Sequence, residues 1–247
     1  MEKSILITGA SSGIGKALAF EFARRGYALA LTARRLAELE KIKDEIQEKY
    51  PSPTVEIRLL DVMDYESVPG VLKEAAHALN GLNIVIANAG IGMGGKIGRS
   101  PFENARRTIE TNLIGAMATV DAAVGYFLEK GSGHVVGISS VVGFRGMPGN
   151  SSYCASKAGL SNYLGALRAE VLRKNIDVTI IRPGYIDTPL NDMIPNRPFL
   201  VPVERGAALM ARAIEKKAKS ATIPVIPWKF IGFMLKVLPT SLLSRMT

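Results

Sequence analysis

A chain of 247 residues, 47% hydrophobic and 21% charged, is long enough for one substantial core and has none of the polar or repetitive tracts of a disordered or fibrous protein. Its formal charge of +9 suits an anionic partner, yet the basic residues are scattered, with no aromatic-interleaved stripe and no DNA-binding motif, which argues against nucleic acid. Cys154 is the single cysteine, the N-terminus lacks the layout of a signal peptide, and His77 and His134 are too far apart for metal-ligand spacing, so we expect a reducing cytoplasmic setting, no disulfide and no metal site.

Short apolar runs rich in β-branched residues, at 5–8, 28–32, 55–60, 84–87, 134–138, 178–181 and 222–225, alternate with helical patterns at 16–25, 36–49, 66–79 and 156–174. The alternation predicts an α/β fold, a doubly wound, mostly parallel, seven-stranded Rossmann-like sheet in a single domain. The runs show no polar alternation, as expected where helices cover both faces of a sheet. We assign 1–225 to this domain and 226–247 to an apolar, basic helical extension of it. Ligands of such sheets bind outside the carboxyl ends of the strands, so the junction after each strand is where chemistry belongs.

The first run leads through Thr8-Gly9-Ala10-Ser11-Ser12-Gly13-Ile14-Gly15 into a helical pattern. Glycines here let the backbone approach a pyrophosphate at the positive end of a helix, although such a turn also occurs as a plain strand-to-helix connection. The second run ends in Arg34-Arg35, where an NAD enzyme offers an acid to the adenosine ribose. A guanidinium suits a 2′-phosphate instead, so NADP is the expected cofactor, with NADPH preferred over NADH; two arginines facing water at a helix start is the competing reading. After the third run, the Asp61 carboxylate, next to Val62, suits an adenine amino group or, equally, the cap of the next helix, as does Asp64. The fourth ends in Asn88-Ala89-Gly90, small residues that fit a backbone passing close to a cofactor or a simple loop.

The fifth run ends in Ser139-Ser140, of which only one can reach a given face, because successive strand residues point oppositely. Tyr153 and Lys157 follow, four apart on one helix face, a spacing that ordinary surface helices also carry. Cys154 points about 100° around the helix from Tyr153 and reads as packing.

Taken together and in order, the Thr-Gly-x-x-x-Gly-x-Gly turn, Asn88-Ala89-Gly90, Ser140, Tyr153-x-x-x-Lys157 and Pro183-Gly184 resemble the short-chain dehydrogenase/reductase family over 8–188. The resemblance implies hydride transfer between a nicotinamide and a carbonyl or secondary alcohol. Tyr153 would donate the proton in reduction and remove it in oxidation. Lys157 would lower the phenol pKa and bond the nicotinamide ribose, and Ser140, selected over Ser139 by the family pattern, would hold and polarise the carbonyl. Asn112, on the long helix after the fourth strand, would order a water linking Lys157 to solvent, while Ile186 and Thr188 would lie near the carboxamide. A homodimer or homotetramer, joined through the long helices after the fourth and fifth strands, is also implied. One departure is Ser12, where many NADP-dependent relatives have a basic residue; Arg34 would then hold the phosphate largely alone, helped by Ser11, Ser12 or Arg35. A non-catalytic dinucleotide sensor or scaffold is the alternative, needing the glycine turn but no acid/base.

The apolar side chains of Met93, Val141, Val142, Phe144, Met147, Met193, Ile194, Phe199 and Leu200 near these junctions point to an apolar, lipid-like carbonyl or alcohol as the small-molecule substrate. The tail at 227–238 forms a helix with Lys229, Gly232 and Lys236 on one stripe, and six basic residues but no acid lie between 216 and 247. It is too short to span a bilayer, which needs about 20 apolar residues. It either lies in a membrane interface with Trp228 and the lysines at headgroup level, or packs on its own domain, on a partner subunit or over the substrate pocket. The packing reading is preferred, since most apolar helices of soluble proteins are buried.

Overall fold

A computed structural model of the protein describes residues 3–243 apart from 193 and 195, so Met193 and Arg245 lie outside the described residues. Seven strands, β1 (Ser4–Thr8), β2 (Ala28–Ala33), β3 (Val55–Leu59), β4 (Ile84–Ala87), β5 (Gly133–Ile138), β6 (Ile176–Pro183) and β7 (Ser220–Ile223), form one sheet in the order β3-β2-β1-β4-β5-β6-β7. Every ladder is parallel. The sheet is the doubly wound one expected; β7 stops at Ile223 because Pro224 has no N–H to continue a ladder.

Alternate strand residues feed two apolar layers. Ile5, Ile7, Leu29 and Leu31 pack with α1 (Gly13–Arg24), α2 (Leu36–Lys49) and α7 (Val203–Glu215), through Phe22, Ile42 and Met210 among others. Leu6, Ala30 and Val85 face the other way, toward α3 (Ser67–Ala78), α5 (Gly115–Lys130) and α6 (Ser151–Glu170). Burying each such side chain contributes roughly 1.5–3 kcal/mol before the entropy of ordering it.

The long helix after β4 is composite. It runs from α4 (Phe102–Ile109) through a π-helical turn (Glu110–Ile114) into α5, and the turn holds the fully buried Asn112. Within 102–130 an 18-residue stretch reaches a mean hydropathy of 1.2, enough for a membrane span, but its buried face packs on the sheet, as a core helix does. Helix α6 starts at Ser151, five residues earlier than the sequence pattern indicated, and so includes Tyr153 in its first turn.

The tail forms α8 (Trp228–Val237) followed by the short α9 (Thr240–Leu243). Gly232 lets α8 settle on the 3₁₀ turn Val141–Phe144, since a Cβ there would lie 2.7 Å from the Phe144 ring. Arg145 donates to the Lys236 carbonyl and the Thr240 hydroxyl, tying down the end of the helix. Trp228 is only 5% exposed and edge-on to Tyr185, as the preferred packing reading has it and against the alternative that put it at headgroup level.

Candidate active site

Between β1 and β4 the connections diverge to opposite ends of the sheet, leaving a crevice at the strands' carboxyl ends. A polar clasp closes its floor. Asn88 Nδ2 donates to the carbonyls of Thr8 (2.8 Å) and Gly9 (3.3 Å), while the N–H groups of Asn88 and Ala89 donate to the Thr8 hydroxyl. The turn above it needs glycine. Gly9 has φ +68°, and a Cβ on Gly15 would sit 2.4 Å from the Gly9 carbonyl oxygen and 2.6 Å from Asn88 Nδ2. At the start of α1 the N–H groups of the first turn have no intrahelical acceptor, and no acidic residue occupies that turn. The result is a cradle of the kind that takes a pyrophosphate.

At one end of the crevice, Arg35 donates to the hydroxyls of Ser11 and Ser12, both at 2.9 Å. Arg34 is half-exposed, 4.0 Å from Asp61. Arg35, one of the helpers expected beside Arg34, is thus the arginine joined to the serine-bearing turn. Asp61 caps neither helix nor strand: its Oδ1 accepts from the Met63 N–H at 3.0 Å in a local turn, and α3 begins only at Ser67, preceded by Glu66. Asp64, likewise, accepts from Ser67 through its backbone carbonyl.

At the other end stand the hydroxyl and ammonium groups. Both serines border the cavity, but the Ser139 hydroxyl is committed to α6, bonded to the Lys157 carbonyl and to Ser161, each at 2.8 Å, which leaves Ser140 as the candidate. Loss of solvation pushes the Tyr153 phenol up to about 12, and the neighbouring Ser140 hydroxyl offsets only part of that rise. This reverses the expected direction of the phenol shift. Lys157 is 4% exposed, donates to the Ile138 carbonyl at 2.9 Å, and is itself lowered to about 8 by burial. Its Nζ lies 5.7 Å from the centre of the Tyr153 ring. Gly90 sits between Lys157 and Asn112, where a Cβ would lie 3.2 Å from Asn112 Oδ1 and 3.5 Å from Lys157 Nζ. Asn112 clamps the backbone of Ile91, accepting its N–H at 2.7 Å and donating to its carbonyl at 2.8 Å.

One cavity of about 550 Å³ joins these groups. The 9–15 turn, Arg34, Arg35, Asp61, Val62, 88–90, Ser140, Tyr153, Lys157, Pro183, Gly184, Ile186 and Thr188 all line it, and Asn112 stands just behind Gly90. Val141, Val142, Met147 and Ile194 also line it, whereas Phe144 turns under α8 and Phe199 and Leu200 lie in the loop outside. Sequence reasoning missed Tyr185, Leu190 and Asn191, the last of which donates to the Ile186 carbonyl at 2.8 Å and shapes the loop. Trp228, Ile231 and Leu235 of α8 form a wall, which is the packing over the pocket that the sequence left open among several places for this helix. Only tertiary packing places that helix here.

The family model described as short chain dehydrogenase matches residues 3–197. The chain belongs to the short-chain dehydrogenase/reductase family. As a family member it is an oxidoreductase built on a nicotinamide-dinucleotide fold. It is 40% identical to an uncharacterized oxidoreductase of Mycobacterium tuberculosis, across 98% of this chain and 96% of that one. It is 36% identical to an NADP-dependent 3-hydroxy acid dehydrogenase of Schizosaccharomyces pombe, across 75% and 72%. An alcohol dehydrogenase of Thermococcus sibiricus, solved in complex with 5-hydroxy-NADP, superposes with a TM-score of 0.81 at 30% identity, covering 90% of this chain and 96% of that one.

Proposed function

We propose that this short-chain dehydrogenase/reductase is an NADP(H)-dependent carbonyl reductase or alcohol dehydrogenase acting on apolar, lipid-like substrates. The observation that carries the reading is the contiguity of the Ser140, Tyr153 and Lys157 groups with the glycine cradle in one cavity. When bound, the cofactor supplies or receives the hydride. The N–H groups at 13–15 would hold its pyrophosphate, Arg34, Arg35, Ser11 and Ser12 its 2′-phosphate, and Asp61 and Val62 its adenine. The loop bearing Pro183, Gly184, Ile186 and Thr188 would take the nicotinamide. Two relatives support NADP by their names, one NADP-dependent and one solved with an NADP derivative.

Ser140 donates to the substrate oxygen and Tyr153 delivers or removes the proton there. Lys157 is the charged neighbour that makes phenolate formation affordable and that meets the ribose. Asn112 is a positioning residue: by clamping Ile91 it fixes the backbone beside Lys157, from where it would order the water that connects the ammonium to solvent. The apolar side chains of Val142, Met147, Ile194, Ile231 and Leu235 favour a hydrophobic substrate.

The test is to follow NADPH absorbance with a panel of aliphatic and aromatic ketones. Turnover by the wild type that is lost in Tyr153→Phe, with dinucleotide binding retained, is the expected result. Binding without turnover across the panel would leave the sensor reading instead. We further propose that the protein works in the cytoplasm as a homodimer or homotetramer, with 1–225 and 226–247 acting as one domain and its extension.

A further inference from the structure

We propose that α8 docks the protein on an anionic lipid surface through its outward face. The helix has two apolar faces. Trp228, Ile231 and Leu235 line the cavity, and Gly232 meets Phe144. On the opposite side Phe230 (68% exposed), Phe233 (63%) and Val237 (60%) face solvent, and Ile226 (84%), just before the helix, extends the patch. A soluble helix that has already buried one face ordinarily carries polar residues on the other.

Charge on the helix decides what covers it. Lys229 and Lys236 are both exposed and lie at the border between the two faces, where long side chains can reach headgroups while the rings enter the acyl region. No Asp or Glu occurs after Glu215. Lys216, Lys217 and Lys219 precede β7 and lie at its other end, so the local attraction rests on the two helix lysines and the adjoining Arg145. A second copy of the chain fits this face poorly. A ten-residue helix is about 15 Å long and about 10 Å wide, a footprint far below the roughly 800 Å² per partner of a stable interface. A two-fold contact would also set these lysines against their own copies. Because the other side of the same helix lines the cavity, docking would hold that cavity one helix diameter, about 10 Å, from the bilayer. This last consequence bears on substrate supply only if the reductase reading holds; the docking itself does not depend on it.

Flotation of the full chain with vesicles of phosphatidylserine and phosphatidylcholine, and with phosphatidylcholine alone, tests the proposal. The chain should float with the anionic vesicles and much less with the neutral ones, and added salt should weaken the association. Phe230→Glu/Phe233→Glu should reduce flotation to background while leaving thermal melting and NADPH binding unchanged, since both rings are exposed. Lys229→Gln/Lys236→Gln should lower it several-fold, and this pair keeps the test decisive if the glutamate variant fails to fold. Wild-type protein that stays with the soluble fraction, or flotation retained by the folded glutamate variant, would overturn the proposal. So would sedimentation showing that the glutamate variant merely dissociates a wild-type oligomer that does not float.

Discussion

A lysine ammonium buried against one carbonyl is poorly solvated, and Lys157 should betray this in its response to pH. Its folded pKa of about 8 is below the ordinary value, so between that pH and about 10.5 the unfolded chain holds a proton that the folded chain has lost. Stability from this group therefore rises with pH through that window, and the full desolvation penalty is present below it. Lys157→Met is expected to abolish turnover yet raise thermal stability at neutral pH by roughly 1–3 kcal/mol, measurable by calorimetry. Tyr153, held up at about 12, stays protonated over the same range, so a fall in the reduction rate near pH 8 would belong to Lys157. In Lys157→Arg, which keeps its charge, that limb should move upward whatever happens to the plateau. For the cofactor, Arg35→Ala should weaken NADPH more than NADH, and Arg34→Asp should shift the ratio of catalytic efficiencies toward NADH; an unchanged ratio in both would sink the 2′-phosphate assignment. The sequence revealed which residues gather here because Tyr153 and Lys157 share a helix face and the glycines share a turn. It did not reveal the direction of the phenol shift or the bond from Arg35 to the serines, since both depend on burial and rotamer rather than spacing.

Helix α8 was legible as a helix from its periodicity, but two apolar faces give periodicity no means of choosing which one turns inward. Two glycines make the choice in the folded protein. Gly232 admits Phe144, and Gly184 admits the indole of Trp228, where a Cβ would lie 2.2 Å from Cε2. Gly184→Ala should therefore push the helix outward, cost about 1–3 kcal/mol in a denaturant melt and alter the preferred ketone. Gly184→Ala combined with Trp228→Leu should recover part of the loss, and simple additivity of the two single changes would show that the contact does not matter. The indole N–H of Trp228 is buried without a hydrogen-bond partner among the described residues. Trp228→Phe gives up no hydrogen bond and should be tolerated within about 1 kcal/mol, whereas Trp228→Ala should cost roughly 3–5 kcal/mol.

For the molecule as a whole, the strand and helix alternation made the layered sheet legible, because parallel strands buried on both faces leave continuous apolar runs. Assembly is less legible. Phe102, Ile114 and Leu128 leave apolar side chains exposed along the long composite helix, and sedimentation should find a dimer or tetramer; a monomer at all concentrations would contradict the proposed association. The all-parallel sheet has a kinetic consequence as well. Among the described residues no two strands are joined by a hairpin; even neighbouring β1 and β2 pair Ser4 with Ala28, and β1 meets β4 by pairing Ile5 with Ile84. Each ladder must wait for a long loop to close, so the search for the native topology is slow and leaves apolar strands uncovered in the meantime. Refolding from denaturant should accordingly lose yield steeply as protein concentration rises, and a dinucleotide that bridges the turns after β1 and β2 should raise that yield by capturing the half-built sheet.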